Sequence, residues 1–119
     1  MRLKFVATQA GFEADEYALV WGVAGEQEYL TFQRDSEGAR EDWGVYLEYA
    51  DQSNGEYGCV AGCRLSRNSL SVDLAHQLGR LSGVTGFDVT LDIDDDVFEP
   101  LPEGLRRVFR GHEDSLRLE

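Results

Sequence analysis

Trp43-Gly44-Val45-Tyr46-Leu47-Glu48-Tyr49, followed by Asp51-Gln52-Ser53-Asn54-Gly55 and by Tyr57-Gly58-Cys59-Val60-Ala61-Gly62-Cys63-Arg64-Leu65, is the stretch that decides the fold. Trp43, Val45, Leu47 and Tyr49 recur at every second position, as do Tyr57, Cys59, Ala61, Cys63 and Leu65. Successive side chains of a strand point to opposite faces, so this spacing describes two half-buried strands, each with one face toward a core. Asn54-Gly55 between them tolerates positive φ and suits a tight hairpin turn. The stretch therefore predicts an antiparallel hairpin turning at Asn54-Gly55.

The same period runs outward on both sides. Leu3, Phe5 and Ala7 form one set, Tyr17, Leu19, Trp21 and Val23 a second, and Leu30 with Phe32 a third. Beyond the hairpin come Leu70, Val72 and Leu74, then Phe87, Val89, Leu91 and Ile93. Residues 11–16 read as a loop or bulge, and Gly25-Glu26, Ser36-Glu37-Gly38 and Asn68-Ser69 as breaks. Two segments change to helical period. Leu74, Leu78 and Leu81 predict a short helix with Asp73 as N-cap and Gly83 as its stop. Further on, the spacing predicts a turn near residues 96–100 and then a longer helix with Pro102 near its first position and Gly111 at its end. Leu101, Leu105, Val108 and Phe109 would pack that helix on the sheet, Arg106, Arg107 and Arg110 suit the negative end of its dipole, and Glu103 can pair with Arg107. The expected fold class is α+β: an antiparallel sheet of about six to seven strands with one short and one longer C-terminal helix. Residues 1–111 read as one domain and residues 112–119 as a polar C-terminal tail.

Composition agrees with a single globular domain, since 119 residues at 42% hydrophobic can bury one core but not two. No stretch approaches the roughly 20 apolar residues of a membrane helix, and polar residues from Thr8 onward interrupt the apolar start too early for a signal-peptide core. Cytoplasmic residence is the expectation. With 23 acidic against 11 basic residues the formal charge is −12, which repels phosphate and argues against nucleic acid or an anionic membrane as partner. A cationic partner is the natural alternative.

Motifs for catalysis are missing. The chain has no G-x-S-x-G elbow, no phosphate-cradling glycine loop and no H-E-x-x-H, and its acids are too numerous for one acid/base pair to stand out. No catalytic residue, metal or cofactor is assigned. Cys59 and Cys63 on one strand would lie about 13 Å apart, beyond disulfide reach, and read as buried thiols. Neither His76 nor His112 has a Cys or His nearby at zinc-ligand spacing. Asp92-Ile93-Asp94-Asp95-Asp96 with Glu103 imitates a calcium loop, but Val97 stands where that loop needs glycine.

Tyr46 is the aromatic that departs from the core pattern, because it shares a face with Glu48 opposite Trp43, Val45, Leu47 and Tyr49. A solvent-side tyrosine among acids has the composition of a protein-binding surface. The candidate patch is Glu41, Asp42, Tyr46, Glu48, Asp51 and Glu56; a competing patch is Asp88, Asp92, Asp94, Asp95 and Asp96.

From Tyr57 through Leu65-Ser66-Arg67-Asn68-Ser69-Leu70-Ser71-Val72-Asp73-Leu74, then Phe87-Asp88-Val89-Thr90-Leu91-Asp92, and on from Phe98 through Leu105 to Phe109, the chain resembles the immunity protein 10 family of bacterial polymorphic toxin systems. The resemblance covers roughly residues 43–109 and rests mostly on strand and core positions. It implies a small α+β, non-enzymatic protein of the cytoplasm that binds and neutralises a cognate protein toxin, and it marks no site residue and no oligomeric state. Apart from the resemblance, the alternative is a small enzyme or ligand-binding domain using a pocket between the sheet and the last helix.

Overall fold

Strand β1 (Arg2–Ala7) runs into β2 (Gln9–Ala14) through Thr8 alone, and at that residue the chain passes from one sheet to another. The structure, a computed structural model, describes residues 1–36 and 44–119. β3 (Ala18–Ala24), β4 (Tyr29–Asp35), β5 (Tyr46–Tyr49) and β6 (Asp51–Tyr57) follow as an antiparallel meander, giving a sheet of order β2-β3-β4-β5-β6. β7 (Val60–Leu65), β8 (Ser69–Leu74) and β9 (Gly86–Leu91) return to the first sheet, of order β1-β9-β8-β7-β10. One turn of helix α1 (Asp95–Phe98), helix α2 (Leu101–Val108), a 3-10 turn (Glu113–Ser115) and β10 (Leu116–Leu118) complete the chain.

Both sheets feed one hydrophobic core. Phe5, Ala7, Cys63, Leu65, Leu70, Val72, Phe87, Val89 and Leu91 come from the first sheet, and Leu19, Trp21, Val23, Leu30, Phe32, Val45 and Leu47 from the second and its approach to β5. The Tyr49 ring joins them, lying 4.9 Å from Phe87 and 6.2 Å from Phe5. α2 covers the β2-β3-β4 end of the second sheet with Leu101, Leu105, Val108 and Phe109, all buried as their spacing implied. Phe32 stacks edge-on against Phe109 at 5.4 Å and tilts against Trp21 at 5.7 Å. Two hydrogen-bond anchors hold the helix there: the Trp21 indole N–H donates to the Leu101 carbonyl at 3.0 Å, and the buried Arg34 guanidinium donates to the carbonyls of Val108 and Arg110. Val108 is the last residue of the helix, so its carbonyl has no partner within it, and Arg110 lies just beyond.

The expected single sheet is corrected to two sheets of five strands among the described residues, with two parallel pairings, β1 with β9 and β10 with β7. Alternation records that one face is buried but not which strand lies alongside, so it reads the same in either arrangement. Residues 11–14 of the segment expected to loop belong to β2. The helix expected from Leu74 to Leu81 is not formed: Leu74 ends β8, and Leu78 and Leu81 close a tight turn. Its midpoint is Gly79, at φ +54°, packed so tightly on the Ser53 carbonyl that a Cβ would collide with it. The short helix occurs instead at Asp95–Phe98, where a turn was expected.

The hairpin expected between residues 43–49 and 57–65 is not formed: β5 pairs with β6, and β7 lies in the other sheet between β8 and β10. Asn54 and Gly55 lie inside β6, and the chain reverses at Ala50, which takes φ +59°. Tyr17 is 75% exposed rather than inward, and a bulge between Val60 and Gly62 turns Ala61 to solvent. Cys59 and Cys63 are both buried and free, as read. The segment after Gly111 supplies β10 to the first sheet, and Glu103 pairs with Arg106, at 2.9 Å, instead of Arg107. Trp43 falls outside the described residues.

Candidate functional site

The outer face of the second sheet is set by its register. Gly22, Thr31, Glu48 and Gly55 lie side by side across β3, β4, β5 and β6, forming a row with small residues at three of its four places. The neighbouring row is Val20, Gln33, Tyr46 and Tyr57. Tall side chains beside a low row make a trough, and Glu48 stands in it.

Two tyrosines hold the Glu48 carboxylate. Tyr46 donates its hydroxyl to Oε1 at 2.7 Å, and Tyr29 donates to Oε2 at 2.5 Å. Tyr46 reaches Glu48 by crossing Gly55, where any Cβ would collide with the phenol. Gly55 is therefore required for space, not for the turn geometry that Asn54-Gly55 suggested. Tyr57 tilts against Tyr46 with ring centres 5.1 Å apart. A depression of about 400 Å³ opens here between Gln33, Tyr46, Glu48, Gln52 and Tyr57, and a second of about 310 Å³ lies across Gly22, Ala24, Tyr29 and Thr31.

The electrostatics follow from the clasp. The hydrogen bond to Glu48, with partial burial and the charges of Glu48 and Asp51, pushes the Tyr29 phenol up to about 12. For Tyr46, burial acts first and the bond to Glu48 second, again to about 12. Both phenols remain donors at neutral pH, and the carboxylate is presented with fixed geometry.

Of the candidate patch, Tyr46 and Glu48 share this face and are bonded to each other. Asp51 lies at the start of β6, where its carboxylate accepts from the Ser53 N–H at 2.8 Å; that bond holds its pKa below the usual carboxylate range. Glu41 and Asp42 lie outside the described residues. Glu56 is paired with Leu47, a core residue, and points away from the trough: its Oε1 accepts from the Gly79 N–H at 3.2 Å, and its Oε2 lies 3.4 Å from His76 Nδ1. Sequence reading missed Tyr29 and assigned Tyr57 to the core set. The alternation of Tyr29 against Leu30 and Phe32 was the available signal for the first.

The competing patch is divided between two places. Asp88 sits on the outer face of the first sheet, where Arg2 donates to both its oxygens, at 2.9 and 3.0 Å, and to Asp73 at 2.6 Å. That bonding holds the Asp88 carboxyl below the usual range. Asp92, Asp94, Asp95 and Asp96 lie around the start of α1, all exposed, and Asp95 pairs with Arg67 at 2.8 Å. Between the second sheet and α2 the space is filled by Trp21, Phe32 and Phe109; a depression of about 200 Å³ lies at the C-terminal end of the helix, lined by Gly44, Val45, Gly58, Val60, Phe109, His112 and Ser115. Among the described residues no helix is long and apolar enough to cross a membrane.

A family model described as Immunity protein 10 matches residues 6–99. The match spans β1 from Val6 through α1, so it takes in the N-terminal strands that the resemblance left out, and it stops short of α2. No curated protein matches the chain.

Proposed function

The chain belongs to the immunity protein 10 family, and on that premise we propose that it is a cytoplasmic inhibitor that binds and neutralises the cognate toxin of a bacterial polymorphic toxin system. The contact surface in this reading is the trough around Glu48. The single observation that carries it is the Tyr29–Glu48–Tyr46 clasp, a hydrogen-bonded acid between two aromatic side chains on an outer sheet face.

Such a surface has the physics of a binding hot spot. Tyrosine supplies large contact area with few rotatable bonds, and these two rings are already fixed, so little side-chain freedom is lost on docking. The Glu48 carboxylate is an oriented acceptor for an Arg or Lys of the partner, and charge-assisted bonds of that kind are stronger than neutral ones. The formal charge of −12 adds long-range attraction for a cationic toxin face and speeds encounter. Asp51 belongs to the rim, where charge acts on association more than on lifetime.

The test compares variants against the toxin encoded beside this gene, by binding kinetics and by survival on co-expression. Tyr46→Ala is expected to lower affinity by about tenfold or more, chiefly through faster dissociation. Glu48→Lys should slow association as well. Asp94→Lys with Asp96→Lys should slow association only modestly, through the lower net charge, and leave dissociation and survival near wild type. Loss of protection in the Asp94/Asp96 variant alone would move the site to the start of α1, and full protection by every variant would remove the acidic-face reading.

A further inference from the structure

We propose that Glu56, Cys59 and His76 form a binding site for a zinc-class divalent metal ion at the junction of the two sheets. The three come from separate elements: Glu56 from β6, the edge strand of the second sheet; Cys59 from the link into β7; and His76 from the segment after β8. The Glu56 carboxylate, the Cys59 sulfur and a ring nitrogen of His76 all lie within 4.8 Å of one another.

The donor set selects the metal. Thiolate with imidazole and carboxylate suits Zn²⁺, whereas calcium and magnesium prefer oxygen alone. In a tetrahedral site with bonds of about 2.0–2.3 Å, ligand atoms stand about 3.4 Å apart for nitrogen and oxygen and about 3.6 Å for pairs with sulfur. Glu56 Oε2 and His76 Nδ1 already stand at 3.4 Å. The remaining separations, none above 4.8 Å, have to close by no more than about 1.2 Å.

Supporting hydrogen bonds fix the ligands from behind, as they do around metal sites generally. The Gly79 N–H donates to Glu56 Oε1 at 3.2 Å, which leaves Oε2 toward His76, and the Ala75 N–H donates to the Cys59 carbonyl at 2.7 Å. The Cys59 thiol itself donates to the His76 carbonyl at 3.1 Å, so the sulfur already faces that segment. On binding, the thiol proton leaves to solvent as the Zn–S bond forms, and His76 Nδ1, which lies 3.1 Å from the Gln77 carbonyl, gives up that contact and takes the ion on its lone pair as the ring proton moves to Nε2. Because the His76 and Glu56 side chains are 53% and 38% exposed, the fourth position faces water. The ion would tie residues 75–79 to the edge strand β6, and binding to the folded state alone would raise stability by mass action.

Spectroscopy with Co²⁺ and a Zn²⁺ titration of the reduced, chelator-treated full chain test the site. One equivalent of Co²⁺ should give a thiolate charge-transfer band, and Zn²⁺ should displace it and raise Tm. Cys59→Ser should abolish the band. Since Cys59 is buried and that variant could fail to fold, His76→Ala and Glu56→Gln, both at partly exposed positions, should each weaken Zn²⁺ binding by roughly tenfold or more. Absence of the band, its retention at full strength in both variants, or its loss on Cys63→Ala instead would overturn the site.

Discussion

Tyr46 donates its hydroxyl to Glu48, two residues along the same strand, by laying its ring across Gly55 of the neighbouring strand. Side chains at i and i+2 of a strand share a face, and the absence of a Cβ at position 55 lets the phenol drop to the level of the carboxylate.

Gly55→Ala is therefore expected to lift the Tyr46 ring out of the trough. The substitution changes no charge, yet it should cost about 1–2 kcal/mol from the displaced ring and the lost hydrogen bond. Urea denaturation reads the stability, and toxin-binding kinetics read the surface. Unchanged values in both would show that the ring position is dispensable.

The tyrosine clasp makes stability sensitive to alkali. A phenol raised from 10.0 to about 12 in the folded chain contributes fully below pH 10, because there both folded and unfolded states keep the proton. Between pH 10 and about 12 the unfolded chain ionises first, so stability falls as pH rises through that window. Glu48→Gln should lower both phenol pKa values and flatten this loss. Spectrophotometric titration of the phenols, with denaturation at stepped pH, checks it.

Arg34 closes the end of α2, and its stem is buried among the residues that carry the helix. Arg34→Met keeps much of that stem but removes both donors to the Val108 and Arg110 carbonyls. Leaving the buried Val108 carbonyl unsatisfied, with loss of the half-buried bond to Arg110, is expected to destabilise by about 1–3 kcal/mol. The same variant should speed amide hydrogen exchange in α2 more than in β7 or β8, which the helix does not cover.

Ala50 carries the reversal between β5 and β6 at φ +59°, the left-handed region that costs a residue with a Cβ about 1 kcal/mol or more. Ala50→Gly removes that strain at some cost in unfolded-state entropy. The net expectation is a gain of up to about 1 kcal/mol, measured by denaturant midpoint with an unchanged slope.

The turn at Ala50 also shows where local reading loses to packing. Asn54-Gly55 has the better turn chemistry, but preferences of that kind are worth about 1 kcal/mol. Placing the reversal at Ala50 lets β6 pair with β5 and leaves Gly55 beneath Tyr46. Residues 74–81 teach the same lesson: three leucines at helical spacing could not outweigh strand pairing at Leu74 and a backbone contact at Gly79 that excludes a Cβ.

By itself the sequence determined which side of most strands is buried, the amphipathic last helix, the burial of both cysteines and the shared face of Tyr46 and Glu48. Each of these follows from local periodicity, since side-chain direction is set by backbone geometry alone. Only the tertiary structure decided the division into two sheets, the parallel partners of β1 and β10, and the arrival of Tyr29 on one side of Glu48 and of His76 and Cys59 beside Glu56. Alternation specifies a face and not a neighbour, so residues distant in sequence become partners only when the pairing of strands and the closing of one shared core select them.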